Sequence, residues 1–164
     1  METNEELSQA VQKGDITAVS EILSKGADVE SRDKIGFFPL SHAAYKGNKE
    51  MMELLIEHGA NVNKLNNIGC PPLLYAISYG GNAAAEFLLE KGANINIMMG
   101  QMTMVPLPQR IIDTAINDHQ YADVMEQRVR FLVEHGAVIN EIAIGSIYRT
   151  YGKFANDIIN FSFR

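Results

Sequence analysis

A chain of 164 residues, 46% hydrophobic and 21% charged, is long enough to bury a core and carries no low-complexity tract. Its net charge of −6 comes without any cluster of Lys and Arg, so nucleic acid is not an expected partner. The one cysteine, Cys70, excludes an internal disulfide or a CxxC zinc site, and no run of about 18 apolar residues marks a membrane span.

The chain opens METNEELSQA, acidic and polar, with no basic segment leading into an apolar one, so it does not read as a secretory signal. A reducing cytoplasm is the expected compartment and a monomer the expected state. No cofactor or metal is expected. At this length the simplest organisation is one domain over residues 1–164.

From residue 26 onward a tetrapeptide recurs: GADV (26–29), GANV (59–62), GANI (92–95) and GAVI (136–139), at spacings of 33, 33 and 44. Gly14, Gly47 and Gly80 share the period, as do Ala10, Ala43 and Ala76. Such a period points to stacked repeats. Each unit reads as a short Ala-centred helix (SQAVQK, SHAAYK, LYAISY), a tight turn, a second helix and an extended finger. The second helices (VSEIL, MMELLIE, AEFLLE, VRFLVE) have apolar spacing on one face. They end at Gly26, Gly59, Gly92 and Gly136, where glycine closes a helix in the left-handed region. Lys25, His58, Lys91 and His135 precede those glycines, and a basic side chain there complements the unpaired carbonyls.

Two stretches, FPLSHAA (38–44) and PPLLYAI (71–77), resemble the T-P-L-H-x-A signature of the ankyrin repeat family. Pro39-Leu40 and Pro72-Leu73 match. Phe38 and Pro71 replace the threonine, and Ser41 and Leu74 replace the histidine, which removes polar links that join typical repeats. The resemblance covers roughly residues 4 to 140. It implies an all-α solenoid of helix-turn-helix units with β-turn fingers, in repeats of about 4–32, 33–65, 66–98 and 99–142. The tail 143–164 would be a helical cap on the last repeat.

The third spacing carries eleven extra residues, from 33 to 44. Five fall between the helices around Asp118 to Asp123, and six enlarge the finger and first helix between Asn96 and Thr114. The methionine-rich MMGQMTM, Met98–Met104, lies in that enlarged fourth finger. Copper binding through thioethers lacks a nearby His or Cys, and a lipid contact lacks length and a basic flank. Two readings stand: methionines filling an irregular gap, or an adaptable contact loop.

No HExxH, P-loop or GxSxG occurs, and no basic neighbour or helix start would activate Cys70, so an enzyme is not expected. The resemblance implies a binding surface built from finger tips and exposed positions of the first helices. Carried over by register, it takes Lys34, Ile35, Phe37, Tyr45 and Lys46 from repeat two. Repeat three supplies Asn67, Ile68, Cys70, Ser78 and Tyr79, and repeat four supplies Met102, Met104, Asn117 and Asp118. Exposed Phe, Tyr, Ile and Met on one face would form a contact patch, although Ile35 and Ile68 could equally pack finger on finger. The expected function is non-enzymatic binding of one folded protein through that concave face and the fourth finger. The alternative is an inhibitor or immunity-type protein that neutralises a cognate enzyme or toxin.

Overall fold

The computed structural model describes residues 2–100, 105–116, 122–139 and 144–145. The chain divides into two compact units, the first ending at Asn94 and the second beginning at Ile95. The first holds α1 (Glu2–Lys13), α2 (Ile16–Ser24), α3 (Pro39–Lys46), α4 (Lys49–Glu57), α5 (Pro72–Tyr75) and α6 (Asn82–Glu90). Between α5 and α6 runs a π-helical stretch, Ala76–Gly80. The second unit holds β1 (Met98–Met99), β2 (Val105–Pro106), α7 (Leu107–Ile116) and α8 (Ala122–Glu134).

Local chemistry sets the helix ends of the first unit. Asp15 caps α2 by accepting the Ala18 N–H, and Asn48 caps α4 by accepting the Met51 N–H, both at 3.0 Å. Prolines 39 and 72 sit in the first turns of α3 and α5, where no N–H is needed. Gly59 and Gly92 close α4 and α6 at φ of 93° and 92°. The histidines at these ends do more than balance the dipole. Nδ1 of His58 lies 2.9 Å from the Leu54 carbonyl, and Nδ1 of His135 lies 2.8 Å from that of Phe131. Each ring donates to a helix-end carbonyl that also accepts the same histidine's backbone N–H, so both groups of the residue close the last turn.

The inner helices α1, α3 and α5 stack through small residues, with Ala43, Ala44 and Ala76 fully inside. Leu7, Leu40, Met51, Met52, Leu55, Leu73 and Leu88 fill the core around them. The approach is closest at Gly80, where an added Cβ would overlap the backbone carbonyl oxygen of Ala44. A Cβ at Gly47 would in turn overlap the carbonyl of Gly80.

The third repeat departs from its register. Gly14 and Gly47 take positive φ, but in the third repeat the positive φ falls on Gly81 at 88° rather than on Gly80. The π turn accounts for this: its wider winding absorbs one residue, so the inner helix runs one residue longer and the turn one shorter. Gly81 then occupies the capping slot of Asp15 and Asn48, and α6 has no side-chain cap.

A ladder that the sequence reading missed joins successive repeats. Glu30, Asn63 and Asn96 lie 33 apart, directly after the recurring tetrapeptides. Glu30 accepts the N–H of Asn61 at 2.6 Å. Asn63 donates to the Gly92 carbonyl and accepts the Asn94 N–H, at 3.1 and 2.8 Å. Within the second unit Asn96 repeats the motif, donating to the Gly136 carbonyl and accepting the Val138 N–H. The donation spans 29 residues from Asn63 and 40 from Asn96, and the difference is the eleven-residue enlargement.

The enlarged finger is a hairpin rather than one irregular loop. Strands β1 and β2 pair antiparallel, with Met98 opposite Pro106 and Met99 opposite Val105. Successive strand residues point to opposite faces, so Met99 is buried while Met98 is exposed. Gap-filling and exposure are thus divided between adjacent methionines. Met102 and Met104 lie outside the described residues, as do Asn117, Asp118 and all of the expected cap except residues 144–145. Leu107, Ile111 and Ile112 of α7 and Val129, Phe131 and Leu132 of α8 are buried.

Candidate protein-binding face

Two finger tips in the first unit are built alike. Asp33 and Asn66, one period apart, each turn a side-chain oxygen back onto their own loop. Asp33 Oδ1 accepts the N–H groups of Ile35 and Phe37 at 3.0 and 2.8 Å. Asn66 Oδ1 accepts those of Ile68 and Cys70 at 3.1 and 2.9 Å. Such side-chain-to-backbone bonds shape tight turns. They leave Ile35 and Ile68 projecting at the tips, 70% and 61% exposed.

Each tip is also tied to an inner helix. His42 Nε2 lies 2.7 Å from Asp33 Oδ2, and the Asn66 amide donates to the Tyr75 hydroxyl at 2.7 Å. His42 and Tyr75 stand one residue beyond Ser41 and Leu74, so this chain makes its own polar link beside the missing histidine. Burial pushes the Tyr75 phenol up to about 12, with Cys70 adding to the effect, so the hydroxyl stays protonated.

On the inner helices Tyr45 and Tyr79 are 48% and 63% exposed, with ring centroids 4.8 Å apart. By the 33-residue period the partner of Tyr45 would be Ser78. The extra residue of the π turn advances the helix by one and places Tyr79 there instead. Lys34 and Lys46 are exposed, and Lys34 forms an ion pair with Glu5. Arg32, beside the first tip, donates to Asn67 Oδ1 on the second at 2.6 Å. Together α1 and the first finger line a cavity of about 480 Å³, with Glu5, Gln9, Gln12, Arg32, Lys34 and Ile35 in its walls. Fingers and inner helices therefore share one face.

A family model of three ankyrin repeats matches residues 7–99, more than half of the chain. The chain belongs to the ankyrin repeat family. Ankyrin repeats are generally protein–protein interaction modules, and the family is typically non-enzymatic. No curated protein matches this ankyrin chain. Among its described residues, no helix is long and apolar enough to cross a membrane.

Two residues expected among the exposed groups of the ankyrin face are more buried than that. Cys70 is 4% exposed: it closes the second tip with its N–H on Asn66, and its thiol is turned inward. Phe37 is half-buried, its ring packed 5.4 Å from that of His42 and 5.0 Å from that of Tyr75. It braces the tip against two inner helices. Alignment to the period places a residue on a finger but does not say which way the turn aims its side chain.

The Asp33–His42 link carries a pH signature. Burial works to raise the Asp33 carboxyl. The bond to His42, the N–H groups of Phe37 and Ile35 and the His42 charge outweigh it and hold the group below the ordinary carboxylate value. A depressed folded-state value stabilises above the unfolded value of about 3.9 and is lost as pH falls through the lowered one. Asp33→Ala should cost roughly 1–3 kcal/mol at neutral pH, by stranding two N–H groups and His42. Asp33→Asn should keep the turn, as Asn66 does naturally, and flatten the acid limb of stability against pH. Urea unfolding from neutral pH down to strong acid measures both. Equal acid sensitivity in wild type and Asp33→Asn would rule the link out as its source.

Proposed function

We propose that this ankyrin chain binds a folded protein partner through the face shared by its finger tips and inner helices. One observation carries the reading. Among the described residues of the first unit, the large hydrophobic side chains left exposed are Ile35, Tyr45, Ile68 and Tyr79. Two stand on tips and two on inner helices, and none on the outer helices α2, α4 and α6. Scattered apolar exposure is ordinary, whereas exposure confined to one face marks a contact surface. Tyrosine is common among the residues that dominate binding energy.

The experiment places a photo-cross-linking benzoylphenylalanine at Ile35, Ile68 or, as control, Glu53 on α4, and irradiates cells that express the chain. The same cross-linked protein should appear from Ile35 and Ile68 and not from Glu53. Adducts from Glu53 alone would place the binding surface on the outer helices and refute the proposal.

A further inference from the structure

We infer that the binding face takes an acidic segment that also carries apolar side chains, an inference that rests on the reading above. The chain is acidic, with a net charge of −6, yet its charges are segregated by surface. On the first two fingers and the inner helix α3 stand Arg32, Lys34, Lys46 and Lys64. Of the carboxylates beside them, Asp33 is largely buried and held by His42 and the turn N–H groups, while Glu30 accepts the Asn61 N–H and pairs with Lys64 at 3.8 Å. On the outer helices α4 and α6, Glu50, Glu53, Glu57, Glu86 and Glu90 stand against Lys49 and the helix-end Lys91.

The cations are interleaved with the exposed apolar groups. Lys34 precedes Ile35 at the first tip, and Lys46 follows Tyr45 on α3, beside Tyr79. An occupant that covers these apolar groups therefore meets cations at the same places, and complementary charge is what fixes partner choice there. Acidic residues on α1 bound the face at one edge, and one of them, Glu5, pairs with Lys34. Glu5 occupies the site an incoming carboxylate would take. It competes with the partner.

The test uses two fluorescein-labelled peptides and the full chain. One alternates Glu with Leu and Phe, and the other has Lys in place of every Glu. Bulk charge favours the basic peptide, whereas the local face favours the acidic one. Fluorescence anisotropy at low ionic strength should show the acidic peptide bound about tenfold or more tightly than the basic one. The preference should shrink with added salt. Lys34→Glu combined with Lys46→Glu should abolish it, and Glu53→Lys on the outer face should leave it unchanged. Glu5→Gln should tighten the acidic peptide roughly two- to fivefold by releasing Lys34. Circular dichroism verifies that each variant is folded.

A basic peptide bound as well as the acidic one overturns the inference, as does a preference that survives the double reversal. Should that happen while Ile35 and Ile68 still cross-link a protein, the acidic-partner inference alone falls. Loss of those cross-links as well defeats the underlying reading.

Discussion

Gly80→Ala should destabilise the chain more than Gly59→Ala, although only Gly59 has a positive φ. The two glycines are needed for different reasons. Gly59 closes α4 at φ 93°, and a Cβ there meets nothing within 4 Å. An alanine at that site bears the left-handed conformation alone, about 1–2 kcal/mol. Gly80 lies where the π-helical stretch passes α3, and its new methyl would be driven into the Ala44 carbonyl oxygen. Backbone cannot swing aside as a long side chain can. The inner helices would have to separate, opening contacts along Ala43, Ala44 and Ala76, for roughly 3 kcal/mol or more. That is a large share of the total for a domain of ordinary stability, on the order of 5–15 kcal/mol. Urea midpoints of the two variants decide it. A midpoint for Gly80→Ala at or above that of Gly59→Ala would mean that the helices do not meet there.

The same pair shows how far the sequence could be read. A period of 33 places Gly59 and Gly80 on helix ends without saying what lies across from them. The helix-closing glycines were legible because the left-handed region admits few other residues. The ladder of Glu30, Asn63 and Asn96 was legible too, one residue beyond each tetrapeptide, although its change from acid to amide blurs the repeat. Asp33 and Asn66 share the period in the same way. Their change from acid to amide hid a common task, since either side chain supplies the oxygen that the turn N–H groups require.

Other features left no trace in the pattern. The inward thiol of Cys70 follows from the direction of its turn, which a period does not specify. Whether Met98 or Met99 is buried depends on strand alternation in a hairpin, which the sequence had presented as a loop. The π turn is visible only as the doublet Gly80-Gly81, which fits an ordinary turn equally well. That turn nonetheless decides which side chain stands beside Tyr45, and π turns of this kind often sit at functional sites.

The aromatic pair it creates should dominate binding. Replacing Tyr45 and Tyr79 together by Ala should leave the fold nearly intact. Both rings are about half exposed or more, and the lost ring contact is worth about 0.5–1.5 kcal/mol. Binding should respond far more strongly. A tyrosine at the centre of an interface contributes about 2 kcal/mol or more on truncation, so losing one weakens affinity roughly 30-fold. Because the rings touch, the double variant should lose less than the sum of the two singles, as coupled neighbours do. The protein cross-linked from Ile35 and Ile68 serves as the titrant, with calorimetry giving affinity and a thermal melt giving stability. Unchanged affinity in a folded double variant would remove the tyrosines from the interface. A collapse of the melt would instead assign them to the packing of α3 against the π-helical stretch.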